Sequence, residues 1–169
     1  MTDSGAIPMN IHAGYRPGCI GRITELHARY YAAHAGFGLA FEAQVAAGLA
    51  AFCEGYTEGR DGLWLVMDGD EIHGSIVIDG AHAAEHGAHL RWFITSDATR
   101  GQGLGSQLLG TALDFCRQRD YQRVHLWTFD ELHAARHLYE KHGFRLARTE
   151  RGARWGREVN EQLYTLGEC

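Results

Sequence analysis

Arg100-Gly101-Gln102-Gly103-Leu104-Gly105 sets one cation beside three glycines at alternate positions. An apolar run from Leu90 to Thr95 precedes it. Leu104, Leu108, Leu109, Ala112, Leu113 and Cys116 follow at a helical period. A strand that passes through a glycine-rich turn into a helix makes an anion site. The first N–H groups of a helix have no internal acceptor, and they sit at the positive end of the helix dipole. Glycines let the backbone approach a phosphate with no Cβ in the way. The spacing excludes two common phosphate readers. A dinucleotide fingerprint G-x-G-x-x-G would end on Ser106 or Leu108, and the chain has no Gly-Lys pair for a triphosphate loop.

Other candidate groups are weaker. His82, His86 and His89 have spacings that could suit a metal, but they fall in or beside a loop between two strands. Solvated loop histidines are the expectation, and no metal site is expected. Cys19, Cys53, Cys116 and Cys169 form no C-x-x-C pair, and Cys53 and Cys116 lie in apolar helical patterns as buried thiols. Leu132 to Phe144 reads as a short helix with Ala135, Leu138 and Tyr139 on one face, ended by Gly143 in the left-handed conformation.

The elements around these residues alternate. A strand over Asn10–Tyr15 is followed by helices over Ile20–His34 (stripe Ile23, Leu26, Tyr30) and Leu39–Tyr56 (stripe Phe41, Val45, Leu49, Phe52). Strands over Leu63–Met67 and Ile72–Ile78 flank the tight turn Asp68-Gly69-Asp70. The strand His89–Thr95 leads into the glycine turn and its helix. Strand Arg123–Thr128, helix Leu132–His142 and strands Phe144–Arg148 and Glu161–Leu166 complete the order. Length and composition, with 169 residues, 45% hydrophobic and 22% charged, suit one globular domain over 1–169. No apolar run has the length of a membrane span, and MTDSGAIPMN lacks a signal peptide's basic and apolar regions, so a cytoplasmic protein is expected. A net charge of −5 argues against a nucleic-acid surface and is weakly permissive of a cationic amine.

Both chemistry-bearing segments together resemble the GCN5-related N-acetyltransferase superfamily. Arg100, Gly103 and Gly105 fill its signature R/Q-x-x-G-x-G/A. Ala135, Leu138, Tyr139, Glu140, Lys141, Gly143 and Phe144 match a motif similar to N-x-x-A-x-x-L-Y-E-K-x-G-F. The resemblance implies an α/β fold: a twisted mixed sheet of about seven strands with four helices on its two sides. It implies acetyl-coenzyme A as cosubstrate and direct acetyl transfer to a primary amine of a small molecule or a protein, with no covalent enzyme intermediate. A bulged strand would offer backbone groups of Phe93, Ile94 and Thr95 to the pantetheine arm and thioester oxygen. Arg100, Gly101, Gln102, Gly103, Leu104, Gly105 and Ser106 would hold the pyrophosphate, and Tyr139 would protonate the departing thiolate.

The general base stays open. Trp127 falls where some members carry a glutamate, which leaves Glu42, His89, His125, Asp130, Glu131 or a water chain. Leu132 replaces the usual asparagine, so a side-chain amide contact to the cofactor is lost. Glu42 and Trp127 are expected at the acceptor site. Of the aromatic cluster Trp92, Trp127 and Phe129, most are expected in the core and one as a pocket wall. The alternatives are a non-catalytic acyl-coenzyme A sensor and a transferase for another acyl group. Gly36-Phe37-Gly38, Phe41-Glu42-Ala43, Leu90-Arg91-Trp92-Phe93 and Thr128-Phe129-Asp130-Glu131-Leu132 look like acetyltransferase domains that follow MarR-type regulators; no such regulator is expected here. A homodimer, common in the family, is the expected assembly.

Overall fold

A computed structural model of the chain describes residues 9–99 and 101–167. Its seven strands form one sheet in the order β1-β2-β3-β4-β5-β7-β6. The strands are β1 Asn10–Ala13, β2 Gly62–Asp68, β3 Glu71–Asp79, β4 Ala88–Thr95, β5 Arg123–Phe129, β6 Arg145–Gly152 and β7 Val159–Gly167. Every neighbouring pair is antiparallel except β4 and β5. That parallel pair needs a crossover, and α4, Leu104–Gln118, supplies it.

Alternation along β2 shows how the sheet buries both faces. Leu63, Leu65 and Met67 pack with α1 (Cys19–Ala35) and α2 (Leu39–Glu54), while Trp64 and Val66 pack under α4. The apolar stripes expected of α2 and α4 are the ones buried. In α1 the buried line instead runs Cys19, Ile23, His27, with Leu26 and Tyr30 only half-buried. The stripe is rotated because a histidine occupies the centre of the packed face.

The sequence reading anticipated four helices, and the structure has five. The extra one, α3 (Ala83–His86), is a single turn inside the expected loop. β1 ends two residues early, where Gly14 turns away at φ +94°. β6 runs four residues past the expected end, paired to β7 as far as Gly152. Among the described residues, no helix is long and apolar enough to cross a membrane.

Candidate active site

The site begins where two strands part. β4 and β5 pair only at Ala88–Val124 and His89–His125, although both continue beyond that point. On the other side of β4 the register with β3 shifts between Ser75 and Val77, so Trp92 and Phe93 together face one residue. This is a β-bulge. Trp92 sits at φ +45°, a conformation a bulky side chain adopts only when its surroundings force it. Ser75 Oγ holds the bulge by donating to the Trp92 carbonyl at 2.7 Å. Phe93 lies in neither the register with β3 nor that with β5.

The wedge opens into a cleft of about 760 Å³. Phe93, Ile94 and Thr95 line one wall, Gly101, Gly103, Leu104 and Gly105 its end, and Ala135, Leu138 and Tyr139 the other wall. Gly103 enters α4 at φ +71°, and no side chain caps the helix. The first helical bond runs from the Gln107 N–H to the Gly103 carbonyl at 3.1 Å. The N–H groups of Leu104, Gly105 and Ser106 therefore have no acceptor within the helix. A Cβ at Gly101 or Gly103 would meet nothing within 4 Å, so the turn borders open space. Gln102 is turned back on the preceding 3-10 turn, its amide donating to the Ala98 carbonyl at 3.1 Å. Ser106 Oγ pairs with His142 Nε2 at 3.0 Å, which ties α4 to the end of α5 (His133–Lys141). Arg100 lies outside the described residues.

Tyr139 owes its position to the way α5 ends. Gly143 takes φ +96°, Phe144 N–H donates to the Tyr139 carbonyl at 3.0 Å and Gly143 N–H to the Glu140 carbonyl at 3.0 Å. This pair of bonds is a Schellman end, and its usual hydrophobic contact is present as Tyr139 against Phe144 at 5.9 Å between ring centroids. Burial pushes the Tyr139 phenol above the usual tyrosine value, with Tyr31 adding to the shift. At the start of α5, Leu132 takes the N-cap position with no side-chain bond, and it lines the cleft.

Behind Tyr139 the cleft meets an inner cavity of about 210 Å³. Tyr31, Phe93, Leu132 and Tyr139 line both spaces. Phe37, Phe41, Trp92, Trp127, Phe129 and Trp155 wall the inner one. Trp155 comes from the β6–β7 connection, which is held against α1 by Arg157 donating to the Ala35 carbonyl. Trp127 lines this cavity. Trp92 and Phe129 line the cavity as well, where a single aromatic wall had been anticipated.

Candidate bases divide sharply. Glu42 is exposed on α2 and lines neither space, so the structure does not place it at an acceptor site. Asp130 lines neither space and accepts from Asn160 Nδ2 at 2.7 Å. Glu131 lines the outer cleft, 3.9 Å from Arg157. His125 lies outside both linings and stacks on His89 at 4.5 Å, at the vertex of the wedge. His89 does line the inner cavity, in β4 rather than as a solvated loop residue; His82 and His86 are the exposed ones. Burial, then His125, Arg91 and Arg154, lower the His89 pKa to about 3. Among the described residues, no cluster of metal-ligand type occurs.

Sequence reasoning passed over His27 and Tyr31. They lie one turn apart on α1 and both line the inner cavity. His27 Nδ1 is 2.8 Å from the Ile23 carbonyl, which can only accept. Nδ1 therefore carries the proton, and Nε2 keeps its lone pair. Burial lowers the His27 pKa to about 4, against the opposing effect of that carbonyl. The available signal was the i, i+4, i+8 spacing of Ile23, His27 and Tyr31.

The family model described as "Acetyltransferase (GNAT) family" matches residues 21–144. A Bacillus subtilis protein named as a putative [ribosomal protein bS18]-alanine N-acetyltransferase is 30% identical over 90 residues, 53% of this chain and 48% of that protein. The chain thus spans about half the length of that curated relative. A putative acetyltransferase from Salmonella typhimurium, solved with its cofactor acetyl-CoA, superposes with a TM-score of 0.74 at 17% identity, over 95% of this chain and 94% of that one. A spermidine N-acetyltransferase from Vibrio cholerae superposes with a TM-score of 0.67 at 18% identity, over 93% and 94% of the two chains. At these identities the two structures show a shared fold.

Proposed function

This chain belongs to the acetyltransferase (GNAT) family, and from that premise we propose that it transfers the acetyl group of acetyl-coenzyme A directly to a primary amine. The observation that carries the proposal is the continuity of the two spaces. A cleft ending on an uncapped helix N-terminus meets an aromatic cavity at Tyr139 and the bulged strand.

Each part has a role in the proposal. The N–H groups of Leu104, Gly105 and Ser106 hold a pyrophosphate at the positive end of α4. Arg100 and Gly101 through Gly103 complete that turn in the sequence. Ile94 and Thr95 line the path of an extended arm. The Phe93 N–H, outside both strand registers, donates to the thioester oxygen as charge develops there. One such preorganised donor contributes about 3 kcal/mol to the barrier reduction. Tyr139 donates its proton to the departing sulfur. Acetyl-coenzyme A supplies the thioester whose acetyl group moves.

An alkylamine at pH 7 must first lose a proton, at roughly 4–5 kcal/mol in water. Among the described residues, no carboxylate lines the inner cavity. We therefore assign water as the proton carrier and His27 Nε2 as the hydrogen-bond acceptor that orients the neutral amine. With a pKa of about 4, His27 positions the amine without storing its proton.

Calorimetric titration with acetyl-coenzyme A, on the wild type and on Gly103→Glu, tests the proposal. Micromolar binding in the wild type, lost in a variant with unchanged circular dichroism, is expected. A wild type that does not bind would overturn it. A cytoplasmic setting, a homodimer and the subgroup that follows MarR-type regulators belong to the same proposal, and sedimentation velocity checks the dimer.

A further inference from the structure

Two arginines, Arg91 and Arg154, line the inner cavity. The guanidinium carbon of Arg91 lies 4.0 Å from the Trp92 ring centroid, and that of Arg154 lies 3.9 Å from the Trp127 centroid. Both residues line the cavity, and among the described residues no carboxylate does. Each guanidinium is anchored by one acid. Arg91 uses Nη1 toward Asp79 at 3.3 Å, and Arg154 uses Nε toward Glu161 at 2.6 Å. An arginine carries five N–H donors, so each anchor leaves most of the fork uncommitted among the described side chains.

Asp79 and Glu161 balance the two guanidiniums from outside the lining, and the other ionisable side chains of the cavity add no charge. Burial leaves His27 and His89 uncharged at neutral pH, and both Arg91 and Arg154 act on His89 from within electrostatic range. Tyr31 and Tyr139 stay protonated, since burial raises both phenols. A second ammonium on an acceptor would find two guanidiniums in the lining, and the nearest acids, Asp79 and Glu161, already engaged by them, which disfavours polyamines and lysine-rich peptides. A carboxylate would find two planar forks that match its geometry. The aromatic walls suit a large apolar body. A volume of about 210 Å³ falls below the roughly 300–1,000 Å³ of drug-sized sites, which favours a single small building block.

We propose that the acceptor is a small amine that also carries a carboxylate and an aromatic or large apolar body, an aromatic α-amino acid being the simplest member, with the carboxylate received by Arg91 and Arg154. This rests on the acetyl-transfer function proposed above and adds the class of acceptor.

The test is a thiol-release assay of the full chain with acetyl-coenzyme A. L-phenylalanine and L-tryptophan are compared with phenethylamine, tryptamine, spermidine and a lysine-rich peptide. We expect kcat/KM for each amino acid to exceed that of its carboxylate-free counterpart by about tenfold or more. The ratio should collapse toward one, through KM, in Arg91→Gln and in the double variant Arg154→Gln, Glu161→Gln. The double variant is needed because Glu161 is buried, and Arg154→Gln alone would strand its charge. Preference for spermidine or the peptide, equal rates with and without the carboxylate, or a ratio unmoved in both variants overturns the proposal while leaving acetyl transfer intact. Quenching of tryptophan fluorescence supplies a readout without turnover, because Trp92, Trp127 and Trp155 line the cavity. If no amine releases thiol, selective quenching by the amino acids still supports this acceptor site while acetyl transfer fails. Without that selectivity, the acceptor proposal fails too.

Discussion

Tyr139 is suited to act as an acid because of where it is buried. Its phenol is raised by desolvation, which at first sight opposes proton donation to a thiolate whose free value is about 8.5. The same dry surroundings raise the proton affinity of the thiolate, so the two move together. A raised phenol also stays protonated on the alkaline side, where more of the amine is free base. Tyr139→Phe should therefore lower kcat by roughly a hundredfold with little change in KM for acetyl-coenzyme A. In the wild type, the rate should show no descending alkaline limb from phenol ionisation up to about pH 10. Steady-state kinetics across pH check both; a variant with wild-type kcat would remove Tyr139 from the chemistry. At this scale the sequence was partly legible. Tyr139 stood out through the family resemblance, and the helix end built by Gly143 and Phe144 fixes its position. Arg91 and Arg154 did not, since nothing local marks which arginines will line one cavity. Glu42 was weighed as an acid near the acceptor, yet its place on the outer face of α2 leaves it in solvent.

The elements act by failing to be regular. β4 could have paired with β5 along its whole length; the bulge at Trp92 and Phe93 prevents it and opens the cleft. Ser75 is the local support of that bulge, buried and bonded to the Trp92 carbonyl. On the other side, a Cβ at Gly48 of α2 would come within 2.9 Å of the Trp92 ring, so the helix is pared back to admit it. Ser75→Ala should cost about 1 kcal/mol of stability. It should also lower kcat more than it weakens acetyl-coenzyme A binding, because the helix N-terminus that holds the pyrophosphate is untouched. Urea unfolding beside calorimetric titration separates the two effects. A variant that loses stability but keeps kcat would show that Ser75 supports the fold and not the thioester site. Element existence was readable because the stripes of α2 and α4 are purely apolar at one period. The bulge's place on β4 came from the family resemblance, since an aromatic residue at positive φ leaves no signature in local sequence. The rotated face of α1 was missed because apolar spacing discounts a histidine.

The whole molecule carries a net charge of −5, yet its inner cavity presents arginines and uncharged histidines. Net charge governs long-range behaviour; the site answers to the few groups that line it. Those neutral histidines make the fold sensitive to acid. His27 titrates at about 4 and His89 at about 3 in the folded protein, both held down first by burial. In the unfolded chain each returns to about 6.5. Between those values the unfolded state binds more protons, so stability is full above about pH 6.5 and declines as pH falls through the folded values. For His27 the difference corresponds to roughly 3 kcal/mol. Asp61 adds to the same trend lower down. Burial alone would raise its carboxyl, but hydrogen bonds from Arg60, Thr57 N–H and Gly80 N–H bring it below the usual range. His27→Asn keeps a donor for the Ile23 carbonyl and removes the titration. Its stability at pH 7 should be lower, because an asparagine fills less of the packed face of α1. The drop between pH 7 and pH 4.5 should then be smaller than in the wild type by roughly 2–2.5 kcal/mol. Urea midpoints measured every half pH unit decide it. Parallel profiles for the two proteins would mean that His27 is already accommodated as a cation, and that the inner cavity is wetter than its burial implies.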